Sequence, residues 1–132
     1  MSGLELTPKP ASGRQLIDKY GAGGFRIAGH RHVGSVIVFP ARTLAWPVTA
    51  IEQIGAASLA PLLDPVRAGE ESCHILIVGS GPRFAPPPDR LAAELLEAGV
   101  ALEWMDTGAA CRTFNVLLLE ERDVAAALLA VE

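Results

Sequence analysis

Apolar positions in this chain fall into short runs with different periods, separated by Gly, Pro and charged stretches. Residues 25–28 and 36–39 are β-rich runs that read as two strands, joined by a turn over residues 29–35. Residues 43–48 supply a third strand that closes an antiparallel meander, with Pro40 and Pro47 at its limits and Trp46 in its core. Residues 21–24 (Gly-Ala-Gly-Gly) read as a flexible break. The first twenty residues, with Pro8 and Pro10, read as a loosely ordered arm in which residues 15–20 fit a short strand or turn. The expected layout is therefore an arm over 1–20 and one α/β domain over 21–132.

Downstream the period alternates. Residues 51–63 have helical character and should stop at Asp64-Pro65. Residues 73–78 (Cys-His-Ile-Leu-Ile-Val) form a continuous apolar run, the signature of a strand covered on both faces. Gly79-Ser80-Gly81-Pro82 ends it. A helix from residue 88 or 89 to 98 follows, with Leu91, Ala92, Leu95 and Leu96 inward and Gly99 just past its end. Residues 100–105 are the next strand. Strand, helix and strand make a βαβ unit with parallel strands, so the 79–82 loop and the start of the following helix share one edge of the sheet. Crevices at such edges are where open α/β sheets usually bind ligands.

That following helix covers residues 107–119, with Thr107 or Asp106 as N-cap. At about 100° per residue, Ala110, Cys111, Phe114, Leu117 and Leu118 share a core-facing side. Arg112, Asn115, Val116 and Leu119 lie on the other. Val and Leu on that side imply a cover, supplied either by the rest of the chain or by a partner. For residues 123–131 two arguments conflict: the alanines favour a helix, and the short unbroken apolar run also suits a buried strand.

Composition narrows the classes. Half of the 132 residues are hydrophobic and a fifth are charged, which suits one domain with a real core. The net charge is −4 and the eleven basic residues are scattered, which disfavours nucleic acid or an anionic membrane as main partner. No apolar run approaches the roughly 18 residues of a membrane span. The N-terminal residues lack the basic and apolar regions of a secretory signal, and Cys73 and Cys111 form no disulfide framework, so a reduced cytoplasmic setting is expected.

The candidate chemistry is sparse. Gly79-Ser80-Gly81 invites a dinucleotide fingerprint, but the third glycine position, 84, is Phe, and the helix starts too late. A tight turn or close backbone packing accounts for these glycines better. The helix start at Thr107 could hold an anion with Arg83 or Arg112, although Asp106 opposes one there. Cys111 as a nucleophile would need a basic partner, and His30, His32 and His74 are the only histidines. His30 and His32 sit two apart at the expected hairpin tip without a third metal ligand. Glu70-Glu71 and Glu120-Glu121 read as solvated surface. No catalytic constellation, metal site or cofactor follows from these residues.

One resemblance stands out. Met105-Asp-Thr-Gly-Ala-Ala-Cys-Arg-Thr-Phe-Asn-Val-Leu117 is followed by Glu120-Glu-Arg-x-Val-Ala-Ala-Ala-Leu128. Gly24-Phe-Arg26, Gly34-Ser35, Pro40, Trp46 and Ile77-Val-Gly-Ser-Gly81 match in order upstream. Over roughly residues 21–131 the chain resembles a family of small α/β proteins of largely unknown function, whose best-understood members are mitochondrial complex I (NADH:ubiquinone oxidoreductase) assembly factors, the third of that series. The resemblance implies a single-domain three-layer α/β sandwich with a mixed sheet, and makes the segment after Arg122 a strand antiparallel to its neighbours. It also implies a bacterial-type protein-interaction module. A partner, such as a respiratory-complex subunit or another assembly factor, would meet the Arg112, Asn115, Val116 and Leu119 face, or that face would pair in a homodimer. The competing reading is a small-molecule or anion binder using Gly79, Ser80, Gly81, Arg83, Asp106 and Thr107.

Overall fold

The computed structural model describes residues 13–132. The expected arm lies outside the described residues over 1–12. Beyond that, the chain begins with a three-stranded antiparallel sheet in the order β1-β2-β3: β1 is Ile17–Gly21, β2 Gly24–Ile27 and β3 His30–Val33. β1 thus crosses the boundary expected at residue 20. The break expected at 21–24 is instead a two-residue turn, Ala22-Gly23, with φ of 52° and 80°. Ala28-Gly29 repeats it between β2 and β3, with φ of 51° and 83°. Positive φ at both central positions is the turn whose twist matches a hairpin. Here the first position is Ala rather than the usual Asn or Asp, which weakens the signal in the sequence.

Residues 25–28 and 36–39 therefore do not pair with each other. β4 (Val36–Val38) lies in a second sheet of five strands, ordered β5-β4-β8-β6-β7. It pairs antiparallel with β5 (Thr43–Ala45), so the third strand expected within 43–48 does pair with the 36–39 run, but without β2. Trp46 is buried at its end and donates through Nε1 to the Ser58 carbonyl at 2.7 Å.

The expected helix over 51–63 is split. A single 3-10 turn covers Ile51–Gln53, and α1 runs over Ala60–Arg67, starting late and passing Pro65. The Ser58 hydroxyl bonds both the N–H and the carbonyl of Gly55, a local alternative to helical bonding. Pro65 removes one backbone bond from α1, while Leu62 and Leu63 anchor the preceding turn in the core.

β6 (Ile75–Gly79), α2 (Leu91–Glu97) and β7 (Ala101–Met105) form the βαβ unit, with β6 and β7 parallel. Leu91 and Leu95 of α2 are buried; Ala92 and Leu96, expected inward, are exposed. A helix of seven residues covers the sheet with one narrow stripe. α3 (Thr107–Leu119) leads into β8 (Val124–Leu128), which enters the middle of the sheet. β8 is antiparallel to β4 on one side and parallel to β6 on the other, so the expectation of antiparallel neighbours holds on the β4 side alone.

Two cores result, and strand alternation assigns their residues. Ile37, Leu76, Val78, Ala125 and Ala127 face the first core with α1 and α2. Val36, Val38, Ile77, Val124, Ala126 and Leu128 face the second, together with Phe114 and Leu118 of α3 and Phe25 and Ile27 of β2. The layers are thus α1 and α2, the five-stranded mixed sheet, and α3 beside the three-stranded sheet. β8 is buried along its whole length.

Candidate functional site

The carboxyl ends of β6 and β7 meet the start of α3, as the βαβ reading requires. The Ser80 N–H donates to the Met105 carbonyl at 2.8 Å. The Thr107 N–H donates to the Gly81 carbonyl at 2.9 Å, and the Gly81 N–H donates back to Thr107 Oγ1 at 3.0 Å. Thr107 Oγ1 in turn donates to the Leu129 carbonyl at 2.8 Å. Asp106 caps α3 by accepting from the Ala109 N–H at 2.9 Å, and the Ser80 hydroxyl bonds the Arg83 carbonyl at 2.9 Å. Thr107 and Ser80 are buried, while Arg83 is exposed. The groups a ligand would use at this edge are bonded to one another, and the cap is itself a carboxylate. Gly79 is explained by packing: a Cβ there would sit 2.9 Å from Thr107 Cα and 2.9 Å from its Oγ1. Such contact between strand and helix needs glycine without any phosphate.

The second side of α3 divides along its length. Asn115 faces the edge of β1 and holds its backbone at two points. The Ile17 N–H donates to Asn115 Oδ1 at 2.9 Å, and Asn115 Nδ2 donates to the Ile17 carbonyl at 2.9 Å. A carboxamide has one acceptor and one donor group on the same plane, so it pairs with an unpaired strand residue as another strand would. Arg112 reaches the Tyr20 hydroxyl at 3.4 Å. One turn further on, Val116 is 55% exposed and Leu119 38%. Sequence periodicity identified this side of the helix, but nothing in the residue pattern showed that β1 docks on Asn115.

Both cysteines are buried and free. Burial pushes the Cys73 thiol from 9.0 up to about 12, with the Asp123 carboxylate adding to the rise. Burial likewise raises Cys111 from 9.0 to about 12, against a smaller opposing effect of Arg112. Both thiols are held protonated at neutral pH. His30 and His32 lie on β3 rather than at a hairpin tip, and His74 is exposed with Nδ1 3.6 Å from Asp123. Glu71 of the expected solvated pair bonds Arg42 at 3.0 Å. Among the described residues no group of three or more His, Cys, Asp or Glu could hold a metal ion, and no helix is long and apolar enough to cross a membrane.

Residues 17–129 match the family model described as a protein of unknown function (DUF498/DUF598). The chain belongs to this family. The matched span begins at the first residue of β1 and ends just past β8, so it contains both sheets, all of α3 and the 79–82 loop. Within the family's reach, the chain is 36% identical over 132 residues to the zebrafish (Danio rerio) NADH dehydrogenase [ubiquinone] 1 alpha subcomplex assembly factor 3, covering 96% of this chain and 70% of that one. It is 37% identical over 118 residues to an uncharacterised protein of Rhodobacter capsulatus, covering 89% and 86%. Against the assembly factors that it matches, the chain spans 58% to 70% of their length. Among solved structures it resembles an outer membrane protein from Bartonella henselae, with a TM-score of 0.80, 38% identity, and coverage of 91% of this chain and 98% of that one. The resemblance read from the 105–128 motif and the α/β architecture are thus both shown.

Proposed function

We propose that this protein is a non-catalytic interaction module that helps assemble a membrane-associated respiratory complex, working in the cytoplasm. The observation that carries the reading is the 36% identity to a named complex I assembly factor, extending over 96% of the chain. The outer side of α3 supports a place for the contact, because Val116 and Leu119 stay exposed while Asn115 beside them is tied to β1. Two exposed apolar side chains one turn apart offer surface that a partner would remove from water. The partner would be a subunit of the complex or another assembly factor.

The test is affinity capture of the tagged protein from its native cells in mild detergent, comparing wild type with Leu119→Asp. Leu119 closes α3 and is partly exposed, so the substitution should leave the fold intact. A respiratory-complex subunit or assembly factor captured by the wild type and lost with Leu119→Asp is the expected result. Recovery of the same partners by both proteins would remove this face from the interface. Self-association alone, abolished by Leu119→Asp, would make the face a homodimer contact and sink the assembly reading.

A further inference from the structure

We propose that the cleft between β1 and α3 binds a small carboxylate with a flat apolar body, held by Arg112 and Lys19. The cleft has a volume of about 380 Å³, within the usual range for small-ligand sites and near its lower end. It opens where β1 runs past the first half of α3, and Asn115, held by both polar groups of Ile17, fixes the distance between its walls. Lys19 lines it from the strand and Arg112 from the helix. Asp18 is the one acidic residue of the lining, and its Oδ2 accepts from the Gly29 N–H at 3.0 Å at the β2–β3 turn. Two cations against one anion leave a single positive charge in the lining, which suits a monoanion. The planar guanidinium of Arg112 matches the two oxygens of a carboxylate.

Tyr20 supplies the surface for the flat body. Its ring lies against the first turn of α3 at Gly108, where a Cβ would sit 2.7 Å from the Tyr20 hydroxyl and shift the ring. The hydroxyl accepts from Arg112 at 3.4 Å, so phenol and guanidinium stand together in the lining. Cys111 also lines the cleft, buried and apolar. Val116 and Leu119 are not part of the lining, so the cleft does not rest on the protein-interaction reading and its test can fail independently.

The experiment is an amide and arginine side-chain NMR titration of the full chain with benzoate, acetate and inorganic phosphate in parallel. Benzoate should give saturable shifts confined to residues 17–20 and 108–115 and bind more tightly than acetate, which lacks the flat body. Arg112→Gln and Lys19→Gln, each with its spectrum unchanged away from the cleft, should weaken benzoate about ten-fold or more, as expected for loss of a charge-assisted contact. The proposal is overturned if benzoate up to about 10 mM, enough to reveal millimolar affinity, gives no saturable shift. It is overturned equally by affinities that survive both substitutions, or by phosphate binding more tightly than benzoate.

Discussion

Thr107 shows how much one side chain can hold together. Its hydroxyl accepts from Gly81 and donates to Leu129, joining the end of β6, the start of α3 and the residue after β8 in a buried place. Thr107→Val keeps the shape and removes the oxygen, leaving a buried N–H and a buried carbonyl without that partner. A loss of about 1–3 kcal/mol in urea unfolding is expected, and a change within error would show that water replaces the hydroxyl. The buried thiols make a second prediction at this scale. Their folded values of about 12 lie above the ordinary 9.0, so between these limits the folded state holds more protons than the unfolded one. Their contribution is complete below pH 9.0 and is lost as the pH climbs towards about 12. The loss is on the order of 1 kcal/mol per thiol by about pH 10. Unfolding curves of wild type and Cys111→Ala should therefore converge as the pH rises. Curves that stay parallel from neutral pH to about pH 11 would refute this linkage.

Among the elements, β1 depends most on a single contact. It is an edge strand with three exposed residues in its middle, and it meets α3 through Asn115. Asn115→Ala should cost about 1–3 kcal/mol through the two lost bonds to Ile17. It should also speed amide exchange in β1 more than in β6 or β8. Uniform acceleration across all strands would mean that β1 does not open separately. Periodicity places Asn115 on the second side of α3, and its role follows only from the position of β1. β1 and β3 were hard to see because their residues are mostly polar and exposed and their turns carry Ala before Gly. α3 was legible throughout, since a 13-residue amphipathic pattern with an Asp cap is a strong local signal.

At the scale of the whole molecule, three layers leave little of α3 exposed. The two sheets cover its core stripe, β1 meets Asn115 beside it, and Arg112, Val116 and Leu119 remain exposed. Removing apolar surface from water is what the unfilled part of such a face would gain from a partner. Leu119→Asp should hold the thermal midpoint within a few degrees of wild type, as surface substitutions usually do, while the captured partners change. A large drop in the midpoint would instead mean that Leu119 belongs to the core. The 79–82 edge contrasts with this face: Gly79, Ser80, Gly81, Asp106 and Thr107 come together there as expected, with their polar groups directed at one another.

The sequence by itself determined the βαβ unit, the capped helix and, through the 105–128 motif, the family. These are local signals: hydrophobic period, a cap three residues from the N–H it binds, and a continuous signature. That residues 124–128 are a strand was implied by the family resemblance alone, and only the tertiary structure supplies the physical reason. Their alanines favour a helix, but small side chains at the centre of the sheet let both layers approach, and burial on two faces outweighs propensity. It also decided which sheet each early strand joins, and that Asn115 faces a neighbouring backbone. Those outcomes depend on residues nearly a hundred positions apart, and no local pattern carries information across that distance.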